Sequence, residues 1–200
     1  MASTDTLPAP AVVSAAAALS FAHLADLSRP FAPPDAAALG DDELLKAQGM
    51  VAEIRRRVDA AAAAFAAEMK RRSRPELGSE GLAQRLGART AEHLVQCVTG
   101  TSAREASTLV RVGTLMTILA VDSPEPDPTP WLRAVGDAVA TGELSIEAAD
   151  VIRAGIGEPD AVVTVEALVG AAETLLGEAR VLTVEKLAAR ARDLRLELDL

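Results

Sequence analysis

Two histidines, His23 and His93, and one cysteine, Cys97, are all that this chain offers as imidazole or thiolate metal ligands. His93 and Cys97 stand four residues apart, so a helix would place them on one face. Two ligands do not make a metal site, and the pair reads more simply as a half-buried His over a buried thiol. H-x-x-H, C-x-x-C and H-E-x-x-H spacings are missing, as are a phosphate-binding G-x-x-x-x-G-K-[ST] loop and a G-x-S-x-G nucleophile elbow. Paired acids such as Asp41-Asp42 are explained by helix capping. The sequence contains no Asn, so chemistry that needs an Asn ligand or orienting group is excluded from these 200 residues. The expectation is a chain with no catalytic residues, no metal ligands and no cofactor of its own.

Basic side chains offer more. Leu94 to Ala106 reads as a helix, a turn at Gly100 and a helix capped by Ser102, which is the plan of a helix-turn-helix. In that reading Ser102 and Arg104 meet phosphate, and Thr108 and Arg111 face a groove. Arg55, Arg56, Arg71 and Arg72 add cationic groups from the preceding segment. The simpler alternative is a helix hairpin whose arginines are only solvated. Two arginines on the hairpin face would neutralise few phosphates, and binding by them alone would be weak.

The elements that must carry these residues read as helices. Half the chain is apolar, but only 2% is aromatic, and Ala, Leu and Val dominate. No stretch sustains the period-two alternation of a half-buried strand. The expected architecture is all-α: a multi-helix bundle with one long heptad-patterned helix, the helix-turn-helix-like hairpin and a Pro-rich connector. Residues 1–40 form a tail and a short helix over 12–27. Residues 41–120 form a first helical subdomain and 121–130 the connector, with Pro at every second position from Pro124 to Pro130. Residues 131–200 form a second, acidic helical subdomain.

Within 41–72, Leu44, Val51, Val58 and Phe65 recur every seven residues, with Ala47, Ile54 and Ala61 between them. Either this helix lies buried at the centre of the domain, or its seam of Leu44, Val51, Ile54, Val58 and Phe65 pairs with a second copy. Shorter helices are expected over 79–87, from Thr90 to about Val98, and from Ser102 to about Ala120, the last with a capping box to Glu105. The buried face of that last helix is expected to be Ala106, Leu109, Val110, Gly113 and Met116. Further helices are expected near 131–140, 145–155, 164–177 and 183–198. Ser145-Ile146-Glu147, Thr164-Val165-Glu166 and Thr183-Val184-Glu185 open three of these at 19-residue spacing, as repeated cap chemistry.

The net charge is −9, which does not suit a free-standing polyanion binder. Its distribution is uneven. Residues 53–74 hold seven basic and three acidic side chains; residues 117–200 hold seven basic and sixteen acidic. A single Cys leaves no internal disulfide, no basic residue precedes Arg29, and no apolar run is long enough to span a membrane. The expectation is a cytoplasmic protein with no membrane partner.

The runs GTSAREASTLVRVGTLM (100–116), VATGELSIEAADVIRAGI (139–156) and LTVEKLAARARDLRLELD (182–199) resemble, in order and spacing, an actinobacterial family. It is the domain of unknown function numbered 222, also met as a mycobacterial repeat-family protein. Thr101-Ser102, the Ala140 to Ser145 helix start and Arg190-Ala191-Arg192 stand where that family has its caps and its Arg-rich last helix. The resemblance covers roughly residues 41–200. It implies a helical region of the kind that precedes an HNH endonuclease domain, with His-Asn-His chemistry and any divalent metal belonging to that other domain. No catalytic residue of the family can be placed on a chain without Asn. The implied function is a non-catalytic accessory region that assists DNA positioning. The alternative is a protein–protein or dimerisation module, working through the 44–65 seam and the stripe of Leu187, Ala191, Leu194 and Leu198.

Overall fold

The computed structural model describes residue 37 and residues 39–117 and 129–200. Among these there are eight α-helices and no strand, so the fold is all-α. The short helix over 12–27 and most of the Pro-rich connector lie outside the described residues. Two compact units are distinguished, Met1–Ala47 and Gln48–Leu200. The described part of the first is the residues leading into α1 and its opening turns. Everything from Gln48 onward belongs to the second.

Helix α1 (Asp41–Arg71) opens on Asp41, Asp42 and Glu43 and closes on Lys70 and Arg71, the charge order the helix dipole favours. A 3₁₀ turn (Pro75–Glu80) and the single-turn α2 (Leu82–Arg85) follow. The one short helix expected over 79–87 is thus broken in two. Gly81 is extended, with φ −60° and ψ 140°, and separates the pieces. Helix α3 (Ala91–Thr99) is capped by Thr90, whose hydroxyl accepts the His93 N–H at 3.1 Å. It ends at Gly100, left-handed at φ 70°, which a side chain would strain. Ser102 accepts the Glu105 N–H at 3.1 Å and opens α4 (Ala103–Thr117). The helix-turn-helix-like hairpin is therefore present as α3, turn and α4.

A 3₁₀ turn (Pro130–Leu132) leads directly into α5 (Arg133–Ala140). Trp131 and Leu132 are buried, so the core resumes immediately after the connector expected over 121–130. Helices α6 (Ile146–Ile156), α7 (Val165–Glu178) and α8 (Val184–Leu198) complete the chain. Their caps Ser145, Thr164 and Thr183 accept the N–H groups of Ala148, Ala167 and Lys186.

One apolar cluster runs through the second unit, from Ala60 and Ala63 of α1 through α4, α5, α6 and α7 to Leu187 and Ala191 of α8. A smaller cluster of Ala83, Ala88 and Leu94 sits beside it, with Met69 and Leu82 packed against it. The helices meet at small residues. A Cβ on Gly113 of α4 would stand 1.9 Å from the Ala63 carbonyl oxygen of α1, and one on Gly155 of α6 would stand 2.4 Å from the Ala191 Cβ of α8. Such backbone-close crossings suit an Ala- and Gly-rich chain with few large side chains to fill the gaps.

This packing corrects the reading of α1. The face turned to the core is Ala60, Ala63, Ala66 and Ala67, not the heptad seam. In the first unit Leu44 is 45% exposed. In the second, Val51 and Phe65 are each 58% exposed, Ile54 is 45% and Val58 37%. The central buried helix is thus only the Ala face of its second half. The second stripe is corrected too. Leu187 and Ala191 are buried, and Leu194 and Leu198 pack against the core, so this stripe is used inside the chain. On α4 the expected face of Ala106, Leu109, Val110, Gly113 and Met116 is buried except that Met116 is only half-buried against the core, and Val112 and Leu115 join it because the helix is covered on more than one side.

Candidate functional site: the arginines and the exposed seam

The arginines nominated for phosphate contact fall into two groups. Most are engaged within the chain. Arg71 and Arg72 both donate from Nε to Glu68, at 2.6 Å each. Hydrogen bonds from Arg71 first, and then from Arg72, outweigh the slight burial of that carboxyl and hold its pKa at about 2. Arg55 pairs with Asp59 at 3.6 Å and Arg57 with Glu53 at 2.6 Å, each one turn away on α1. Arg56 turns inward, and its Nε donates to the Gly142 carbonyl at 2.8 Å, tying α1 to the turn after α5.

The hairpin face behaves differently from the sequence reading. Arg111 does not face an open groove. It donates to both carboxylate oxygens of Asp150 on α6, Nε to Oδ1 at 3.1 Å and Nη2 to Oδ2 at 2.8 Å, and its Nη2 reaches the Thr108 hydroxyl at 3.1 Å. Arg153 adds two more bonds to Asp150 Oδ1, at 3.1 and 3.0 Å. Burial pushes the Asp150 carboxyl up, but the bonds from the two guanidinium groups prevail and leave its pKa below the usual range. Thr108 and Arg111 therefore belong to an internal α4–α6 clamp. Ser102 is committed to its own helix start. Arg104 is exposed, and no ion pair joins it among the described residues.

Spacing alone could not separate these groups. An Asp on α6 that answers an Arg on α4 is 39 residues away, and only the fold brings it near. The same holds for Arg195. It caps the end of α6 by donating to the Ile156 and Glu158 carbonyls at 2.9 and 2.6 Å, and it also holds Asp160 and Asp199. Carbonyls at a helix C-terminus attract a cation, and this arrangement closes the α6–α8 interface.

No catalytic constellation is assembled among the described residues. His93 and Cys97 are both exposed on the outer face of α3, opposite Leu94 and Val95, which corrects the picture of a buried thiol beneath a histidine. No group of three or more His, Cys, Asp or Glu is placed to hold a metal ion among the described residues. An open groove is lined by Ala138, Thr141, Leu144, Leu176, Gly177 and Arg180, and no polar side chain in it is buried. No described helix is long and apolar enough to cross a membrane.

What the structure leaves uncommitted is the outer face of α1. Met50, at 65% exposed, joins Val51, Ile54, Val58 and Phe65 there. Isolated exposed apolar residues are ordinary, but a heptad row of them is not. Comparison with protein-family models, with curated proteins and with solved structures found no match.

Proposed function

We propose that this chain is a non-catalytic helical accessory region of an HNH-endonuclease-like protein, and that it works by association. The family part rests on the three quoted runs, whose cap residues Ser102 and Ser145 open α4 and α6, and whose Arg-rich run lies on α8. The absence of Asn leaves His-Asn-His chemistry to another domain. The association part is carried by one observation: the heptad seam of α1 is solvent-exposed, whereas the Leu187, Ala191, Leu194 and Leu198 stripe is consumed by the core. Exposed heptad apolar residues on a long helix are the ordinary means by which helices recruit a partner helix.

Direct DNA positioning is the second reading. It is favoured by cations that have no acid partner among the described residues, Lys70, Arg74, Arg85, Arg89 and Arg104. Arg74 and Arg85 border one corner of the chain, where the Arg72 carbonyl accepts the Leu82 N–H and the Ser73 hydroxyl accepts the Ala83 N–H. The discriminating measurement is duplex-DNA binding by the purified chain at about 50 mM and about 200 mM salt, beside light scattering over a concentration series. Concentration-dependent association without a DNA shift supports the first reading. A strict monomer that binds DNA with a steep salt slope replaces it by the second. Nuclease activity of the chain with added metal would overturn both.

A further inference from the structure

Within the second unit, α1 carries its apolar row as Val51, Ile54, Val58, Ala61 and Phe65, with Met50 beside it, and all six are exposed. The helical period sets this row opposite Ala60, Ala63, Ala66 and Ala67, which face the core. A partner can therefore cover the row without disturbing the packing behind it. Steps of three and four residues are what a facing helix fills. Ala61, between Val58 and Phe65, leaves room there for a large side chain of that helix.

Charge decides what kind of helix fits. The charged side chains at the heptad positions flanking the row are Arg55 on one side and Arg57 on the other, and from Gln48 to Phe65 no acid occupies a flanking position. Their side chains are 78% and 67% exposed. Asp59 and Glu53, their partners on α1, stand further round the helix towards the core face, and such surface i,i+4 pairs stabilise little. Glu143, on the turn that approaches Arg57, is itself paired with Arg180.

A second copy does not supply what these flanks lack. Its own flanking positions over the same stretch hold the same two arginines and no acid, so neither orientation forms an ion pair there. An antiparallel copy that layers Ile54 on Val58 sets Arg55 against Arg55 and Arg57 against Arg57. We propose that the outer face of α1 from Met50 to Phe65 receives an amphipathic helix of a different protein, with Glu or Asp flanking its apolar stripe. This rests on the association reading above and adds the chemistry of the partner.

The experiment titrates the full chain with two synthetic peptides of about three heptads. Both carry Leu and Ile at the seam positions; one has Glu at the flanking positions and the other Lys. The Glu peptide is expected to bind about tenfold more tightly at about 50 mM salt, with the difference shrinking at about 200 mM. The chain's net charge of −9 as a whole attracts the Lys peptide, so a preference for Glu reports the flanks of this row. Arg55→Glu with Arg57→Glu is expected to reverse the preference, and Ile54→Asp with Val58→Asp to remove binding of both peptides. Equal binding, or a preference for Lys, would overturn the acidic partner and leave association standing. A homodimer in light scattering that Ile54→Asp disperses would do the same, in favour of a second copy. A monomer that binds neither peptide would overturn both. All four substituted positions are exposed, so the fold should survive, which circular dichroism verifies.

Discussion

Arg111 of α4 and Asp150 of α6 meet through two hydrogen bonds, at 3.1 and 2.8 Å, with Asp150 only 20% exposed. This is a structural clamp between two core helices, and it removes Arg111 from the set of cations free to meet a phosphate. Replacing Arg111 by Ala would leave Asp150 half-buried with Arg153 alone. The expected cost is about 1–3 kcal/mol, the usual penalty for breaking a charge-assisted bond in a partly desolvated site. Arg104→Ala, at an exposed position, should change stability by less than about 0.5 kcal/mol. Urea unfolding midpoints of the two variants make the comparison, and equal midpoints would remove the clamp from this account.

The α1–α4 crossing predicts a steric result. Gly113 packs so closely that a methyl group there would overlap the Ala63 carbonyl, a backbone atom that cannot turn aside. Gly113→Ala would raise helix propensity by about 1 kcal/mol in isolation. The crossing should more than cancel that gain, giving a net loss of roughly 1–3 kcal/mol by overpacking. Gly170→Ala is the control, since nothing lies within 4 Å of a Cβ at that helical position. It should be neutral or stabilising. Thermal unfolding of both variants reads the difference in sign.

Four acids among the described residues give the chain a defined acid limb. Glu68 titrates at about 2 against an ordinary 4.5, and Asp150, Asp160 and Glu185 are also lowered. For Asp160 the main cause is the backbone N–H groups of Val163 and Val162, with Arg195 adding to them. A carboxyl whose folded pKa lies below its unfolded value stabilises the fold fully above the unfolded pKa, and that contribution disappears as the pH falls through the folded one. Stability should therefore be flat near neutral pH and decline from about pH 4.5 towards 2. Glu68→Gln should flatten part of that decline while lowering stability at pH 7 only slightly, because the Glu68 pairs are near the surface. Urea titrations from pH 7 to pH 2 on the two proteins provide the check.

Helix starts were legible because they depend on local chemistry. Thr90, Ser102, Ser145, Thr164 and Thr183 each present a hydroxyl three residues before an N–H that needs an acceptor, and each one caps. The core face of α1 was not legible. Hydrophobic periodicity weights large side chains, so it selected Val51, Ile54, Val58 and Phe65, whereas the contact with Gly113 admits only Ala. An Ala run such as 60–64 looks apolar on every side, and nothing in it marks which side faces a partner helix. The arginines failed for a related reason. Arg56, Arg111 and Arg195 are committed to groups 86, 39 and 39 residues away, and a local motif carries no trace of such partners.

The caps supply the last prediction, and it separates local from tertiary stabilisation. Ser145 and Thr164 both accept from the third helical N–H, at 3.1 and 3.3 Å, yet they differ in surroundings. Ser145 is half-buried and precedes Ile146, which is itself buried, and α6 packs against α8 along its length. Thr164 is exposed. A lost cap costs about 0.5–2 kcal/mol. Ser145→Ala should fall in the upper part of that range, since water cannot readily replace the hydroxyl at the Ala148 N–H. Thr164→Ala should fall in the lower part, since water can. Ser145→Asp should recover most of the loss, because a carboxylate at that place accepts the same N–H and suits the positive end of the α6 dipole. Unfolding free energies of the three variants test the ranking, and a larger loss at Thr164 than at Ser145 would contradict it.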